Sequence, residues 1–222
     1  MSNPMMGKLI GKELSLNKLF MGGATFAGLL ALVICMLGKV AFAAGSIMFV
    51  TALIAFAVTL PMFSIAGERK EKTRLFVLSL PVSRGEYIWA KVVGISLSFL
   101  GPWTAMLIGA LALILLTPVP DGMVVYTTLV MMFALTDFCV IVCAAMFVAS
   151  EGGQALVIIF MNMSVTFFMI GTSALTRVGP DSALDVINWS APALAILGSE
   201  IAVVVTALVA LYWLTRREPE VI

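Results

Sequence analysis

Six runs of about twenty apolar residues constrain this chain more than any other feature, because that is the length a helix needs to cross the hydrocarbon core of a bilayer. They fall at 20–37, 44–66, 92–116, 124–149, 155–175 and 193–215. A soluble domain carries about 45–50% apolar and about 25% charged residues; here the shares are 62% and 11%. A water-soluble fold has nowhere to put that excess. In lipid every backbone polar group must be satisfied inside the spanning structure, which leaves helices or a closed barrel. Barrel strands alternate apolar and polar at every second residue, whereas these runs are continuous. The sequence predicts an all-α integral membrane protein, a six-helix bundle in one domain over 1–222, with no repeat and no low-complexity segment.

The cations set the orientation. Of the thirteen Lys and Arg, eleven lie before the first run, between the second and third, or after the sixth; only Lys39 and Arg177 lie elsewhere. Basic residues are retained on the cytoplasmic side, so both ends are predicted to be cytoplasmic. Aromatic residues mark the interfaces, with Tyr87, Trp89, Tyr212 and Trp213 at inner span ends and Tyr126 and Trp189 at outer ones. Between Met5 and Leu19, Met6, Ile10 and Leu14 recur at four-residue spacing, with Lys8, Lys12 and Ser15 on another face. That pattern predicts an amphipathic helix over 1–19 in the cytoplasmic interface, the alternative being a helical extension of the first span. Ala41-Phe42-Ala43 has the small-residue form of a leader cleavage site, but the leader would exceed forty residues behind a long basic region, so a retained first span is expected. The outer loop over 176–192 is expected to be semi-helical: Gly179-Pro180-Asp181-Ser182 reads as a turn with a helix-start signal and 183–189 as a short surface helix.

Several chemistries are argued against. There is no histidine, which removes the commonest general base and metal ligand. Cys35, Cys139 and Cys143 sit inside apolar runs without the C-x-x-C spacing of redox or metal sites. No G-x-x-x-x-G-K-[ST] phosphate loop is present. An intramembrane enzyme would need a nucleophile with its base, or a metal cluster, and no such constellation appears, so no catalytic, cofactor-binding or metal-ligating residue is assigned. A secondary transporter would carry embedded charge pairs or broken helices in matching halves, which are missing too. A secondary transporter or channel, or a membrane anchor or immunity protein without transport, is the remaining alternative. No nucleic-acid partner is expected; the lipid bilayer is.

The segment 67–91 carries the functional signal. It opens with six charges in seven residues, Glu68 to Arg74, continues with the apolar run Leu75 to Leu80, then Pro81 and a candidate helix cap at Ser83. It is too apolar to be solvated and too charged to insert, which suits a short helix on the membrane surface; alternatively its basic residues only set topology and touch anionic lipid. Glu68 and Glu71 followed by Thr73, then Leu78-Ser-Leu-Pro-Val-Ser-Arg84, then Tyr87 and Lys91 entering a span, resembles the permease subunits of ABC-2-type transporters. The resemblance implies a cytoplasmic coupling helix that docks on a separate ATPase subunit, and a permease dimer, homodimeric or with a related chain. It also implies ATP and Mg²⁺ bound by the partner rather than by this chain, export as the direction, and a bacterial or archaeal inner membrane. The residues assigned to coupling are Glu68, Arg69, Lys72, Arg74, Pro81, Val82, Ser83, Arg84 and Tyr87. Pro81 would end one short helix, and Arg84 would supply a charge-assisted contact.

Polar residues inside the spans complete the reading. Asp137 lies near the middle of the fourth run, where an ionised carboxylate costs about 2.5–3.5 kcal/mol on insertion scales. It is either protonated, facing a wet cavity, or bonded to a neighbour such as Thr136; its role is a transport-path contact or a helix-packing bond. Glu200 receives the same reading with more weight on the outer interface, and Thr136 and Asn162 join these as candidate path residues, Asn162 with the joining of helices as its alternative role. Gly23, Ala27 and Ala31 form a small-residue stripe for close helix contact, which the resemblance places at the dimer face. Pro61 and Pro102 are expected to kink their spans, and the fifteen Met residues could line an adaptable apolar path or act as filler.

Overall fold

A computed structural model of the protein describes residues 4–66, 84–148, 150–175 and 178–217. Six long helices carry the chain: α1 (Pro4–Cys35), α2 (Lys39–Pro61), α3 (Arg84–Leu116), α4 (Met123–Phe147), α5 (Glu151–Ala174) and α6 (Ala191–Arg217). All six are long and apolar enough to span a membrane, and no strand occurs among the described residues. The segment 67–83, with the expected coupling helix, lies outside the described residues.

α1 is one unbroken helix of 32 residues, about 48 Å at 1.5 Å per residue against a hydrocarbon core of about 30 Å. The amphipathic stretch therefore runs straight into the first span, which is the helical-extension form of the N-terminus. Nothing in Gly7 to Leu19 breaks the helical backbone pattern, and the half-turn at Met36 to Gly38, where Gly38 takes φ 132°, ends it. That left-handed value is open to glycine and strained for other residues. The short turn sends α2 back antiparallel along α1. Ala31 is fully buried there, and a Cβ at Gly45 would lie 2.7 Å from its carbonyl.

Pro61 closes α2, and a π turn follows over Met62–Ala66. Pro102 is accommodated inside α3 without ending it. α4 is the central helix: 61% of its spanning window is buried, against 11% for α5 and α6. It packs on α2, α3, α5 and α6, while α1 packs on α2 and α3. The core runs between them, with Phe99 stacked on Phe138 at 4.1 Å and on Phe56 at 5.5 Å. Trp103 Nε1 donates to the Met131 carbonyl at 2.9 Å, fixing α3 against α4.

The loop before α6 differs from the expected form. A single 3₁₀ turn occupies Pro180–Ala183, and 184–190 is non-helical. Its Leu184 carbonyl is committed elsewhere, accepting from Gly122 N at 2.8 Å, while within the loop Asn188 Nδ2 donates to Asp181 Oδ2 at 3.1 Å. The loop is thereby tied to the α3–α4 turn instead of coiling on itself.

Candidate functional site

Two polar places stand out in a bundle otherwise held by apolar packing. The first lies at the end of the bundle where α1 begins, α2 finishes and α3 starts. Glu13 on α1 and Lys91 on α3 form an ion pair at 3.1 Å, with only 8% and 5% of their side chains exposed. One turn further, Ser64 in the π turn donates to Asn17 Oδ1 at 3.1 Å. Asn17 Nδ2 donates to Ser98 Oγ at 3.4 Å, and Ser98 donates to the Gly94 carbonyl at 2.9 Å. Glu13 and Asn17 are one helical turn apart on α1, and Lys91, Gly94 and Ser98 lie along one face of α3. Gly94 lets the helices meet: a Cβ there would sit 2.7 Å from Glu13 Cβ and 3.0 Å from Glu13 Cγ. Three helix ends are thus tied by a buried polar seam, and two of them flank the segment 67–83.

The second place is a cleft of about 440 Å³ between α4, α5 and α6. α5 and α6 both lean on α4 and leave this opening between them. Thr136, Phe133, Phe168, Thr172, Ser199 and Glu200 line it, and the Phe133 and Phe168 rings stack at 4.2 Å. Glu200 is 5% exposed, and among the described residues neither carboxylate oxygen has a hydrogen-bond partner.

A match to the family described as ABC-2 family transporter protein covers residues 8–214, from the second turn of α1 to the last turns of α6. The chain belongs to the ABC-2 transporter family. No curated protein and no solved structure matches it.

The residues singled out in the sequence of this ABC-2 membrane protein are scattered through the bundle. Glu68, Arg69, Lys72, Arg74, Pro81, Val82 and Ser83 lie outside the described residues. Arg84 opens α3, and Tyr87 is half-buried one turn on, packed against the core. Thr136 and Glu200 share the cleft. Asp137 is fully buried on α4, and among the described residues its two oxygens have no hydrogen-bond partner. Thr136 Oγ1 donates to the Met132 carbonyl at 3.0 Å and so is not the partner of Asp137. Asn162 faces outward from α5 and bonds to its own helix at Ile158 O, away from the cleft.

Gly23 and Ala27 line an open groove between α1 and α2, with Ala52, Ala55 and Phe56 opposite. Ala31, the third member of the stripe, is used within the chain, against α2. Sequence reasoning missed the seam altogether. Its signal was present as Glu13 and Asn17 at i, i+4 and Lys91 and Ser98 at i, i+7, two polar stripes on otherwise apolar helices.

Proposed function

We propose that this ABC-2 membrane protein is the permease subunit of an ATP-driven exporter, working as a dimer with separate ATPase subunits that carry the nucleotide and its Mg²⁺. The family match over 8–214 supports the transporter reading. The bias of eleven of thirteen cations supports placing both ends and the segment 67–83 on the cytoplasmic face, in a bacterial or archaeal inner membrane. The observation that carries the coupling reading is the buried seam. The pull of an ATPase on 67–83 would arrive at the end of α2 through Ser64 and at the start of α3 through Lys91. Both are fastened to α1, by Asn17 and Glu13 respectively. A push on this segment therefore moves three helix ends together instead of flexing one loop. Glu68, Arg69, Lys72, Arg74, Pro81, Val82, Ser83, Arg84 and Tyr87 would form the docking face, and Gly23 and Ala27 would contribute to contact with a second permease. A path between two such bundles would then open outward, with Thr136, Asp137 and Glu200 as its polar residues.

The test is co-expression with the candidate ATPase, reconstitution in nanodiscs, and comparison of the unaltered protein with the double variant Pro81→Ala/Arg84→Glu. Co-elution and stimulated ATP hydrolysis are expected for the unaltered protein, with loss of either in the variant. A folded chain that never retains an ATPase refutes the assignment.

A further inference from the structure

The cleft between α4, α5 and α6 has a one-sided hydrogen-bonding character. Every hydroxyl proton lining it is spent on a carbonyl of its own helix: Thr136 on Met132, Thr172 on Phe168 at 2.7 Å, and Ser199 on Ile196 at 2.7 Å. Each hydroxyl oxygen keeps a lone pair facing outward from that bond. Glu200, nine-tenths buried and unpartnered, adds acceptors at its two carboxylate oxygens. With Glu200 ionised, the side chains lining the cleft thus offer, among the described residues, acceptors and no free donor. The rest of the wall is apolar, and the stacked Phe133 and Phe168 bring ring faces that attract cations. Buried acceptors left unmade are costly, so an occupant that brings donors, positive charge and an apolar body answers every feature at once.

We propose that this cleft binds a lipophilic primary ammonium ion, its N–H groups on Glu200 and the hydroxyls and its apolar part along Phe133 and Phe168. A volume of about 440 Å³ lies in the range of small-molecule sites, about 300–1,000 Å³. Beside an ionised Glu200, an anion or a neutral acceptor would meet only other acceptors. The ammonium has two sources, a free amphiphilic amine or the headgroup of an aminophospholipid reaching in sideways. The proposal names a ligand class for the polar path residues of the preceding section and rests on that placement, but its test needs neither ATP nor a partner.

The full chain in nanodiscs of phosphatidylcholine is titrated with 4-phenylbutylamine, with empty discs as background and 4-phenylbutanol as the uncharged competitor. Saturable binding is expected, weakened about tenfold or more by Glu200→Gln, weakened less by Thr172→Val, unchanged by Asn162→Ala, and not displaced by the alcohol. Nanodiscs containing phosphatidylethanolamine separate the sources: competition with the amine assigns the site to the lipid headgroup, and its absence to a free amine. Binding no greater than to empty discs, equal displacement by the alcohol, or full affinity in both Glu200→Gln and Thr172→Val overturns the proposal. That failure would leave ATPase retention, and with it the exporter reading, untouched.

Discussion

Lys91→Met removes the ammonium from the buried seam and keeps an unbranched apolar stem in its place. At an effective dielectric of about 20, two unit charges 3.1 Å apart attract by about 5 kcal/mol, and desolvation takes back much of that. What the substitution exposes is different: the Glu13 carboxylate, 8% exposed, loses the ammonium 3.1 Å away without regaining water. Breaking one side of a buried pair costs about 3–5 kcal/mol, and a loss of about 3 kcal/mol is expected here because the pair sits at the end of the bundle. The double variant Glu13→Leu/Lys91→Met removes both charges, and its stability is expected within about 1 kcal/mol of the starting protein, or above it. Unfolding by SDS in mixed micelles, followed by far-ultraviolet circular dichroism, gives both values and closes the double-mutant cycle. The reasoning is refuted if Lys91→Met changes stability by less than about 0.5 kcal/mol, as a solvated pair would, or if the double variant loses as much as the two single ones added. Under the proposed coupling, Lys91→Met is further expected to lower the ATP hydrolysis that the permease stimulates more than the basal activity of the ATPase, since the pair would carry motion rather than chemistry.

Gly94→Ala places a methyl 2.7 Å from Glu13 Cβ and is expected to push α1 off α3, costing about 1–3 kcal/mol in the same unfolding assay. Trp103→Phe removes the 2.9 Å bond to the Met131 carbonyl, which keeps its intrahelical bond, for an expected loss of about 0.5–1.5 kcal/mol; no loss would mean that the indole bond adds nothing to the packing of α3 on α4. Asp137→Asn keeps the shape of a fully buried side chain with unpartnered oxygens and is expected to raise the unfolding midpoint, because an unpaired amide is cheaper to bury than a carboxylate. A lowered midpoint would show that Asp137 makes a stabilising contact.

The helices were legible because a spanning segment is specified locally: twenty apolar residues need no partner to be recognised. The seam was not. Glu13 and Lys91 are 78 residues apart, Ser64 and Asn17 are 47, and periodicity assigns a residue to a face without saying which face it meets. Lys8 and Lys12 drew the reading of α1 toward a membrane-surface helix, while Glu13 and Asn17, buried on the other side, tie the same stretch to α3. The loop before α6 misled for a related reason. Pro180 and Ser182 do begin a turn, but the hydrogen bond from Gly122 that keeps it from lengthening comes from a distant turn. Asp137 was found by depth alone; its lack of a partner required the three-dimensional arrangement.

The central place of α4 has a consequence for how the chain is made. α1, α2 and α3 pack on one another, but α5 and α6 find their main support on α4. During synthesis the first three helices can associate as they enter the bilayer, and the later pair has nothing to settle on until the fourth has arrived. The order of emergence matches the order of dependence. A chain arrested after α3 would hold a preformed triplet with a bare apolar flank, and one arrested after α4 would already contain most of the interior.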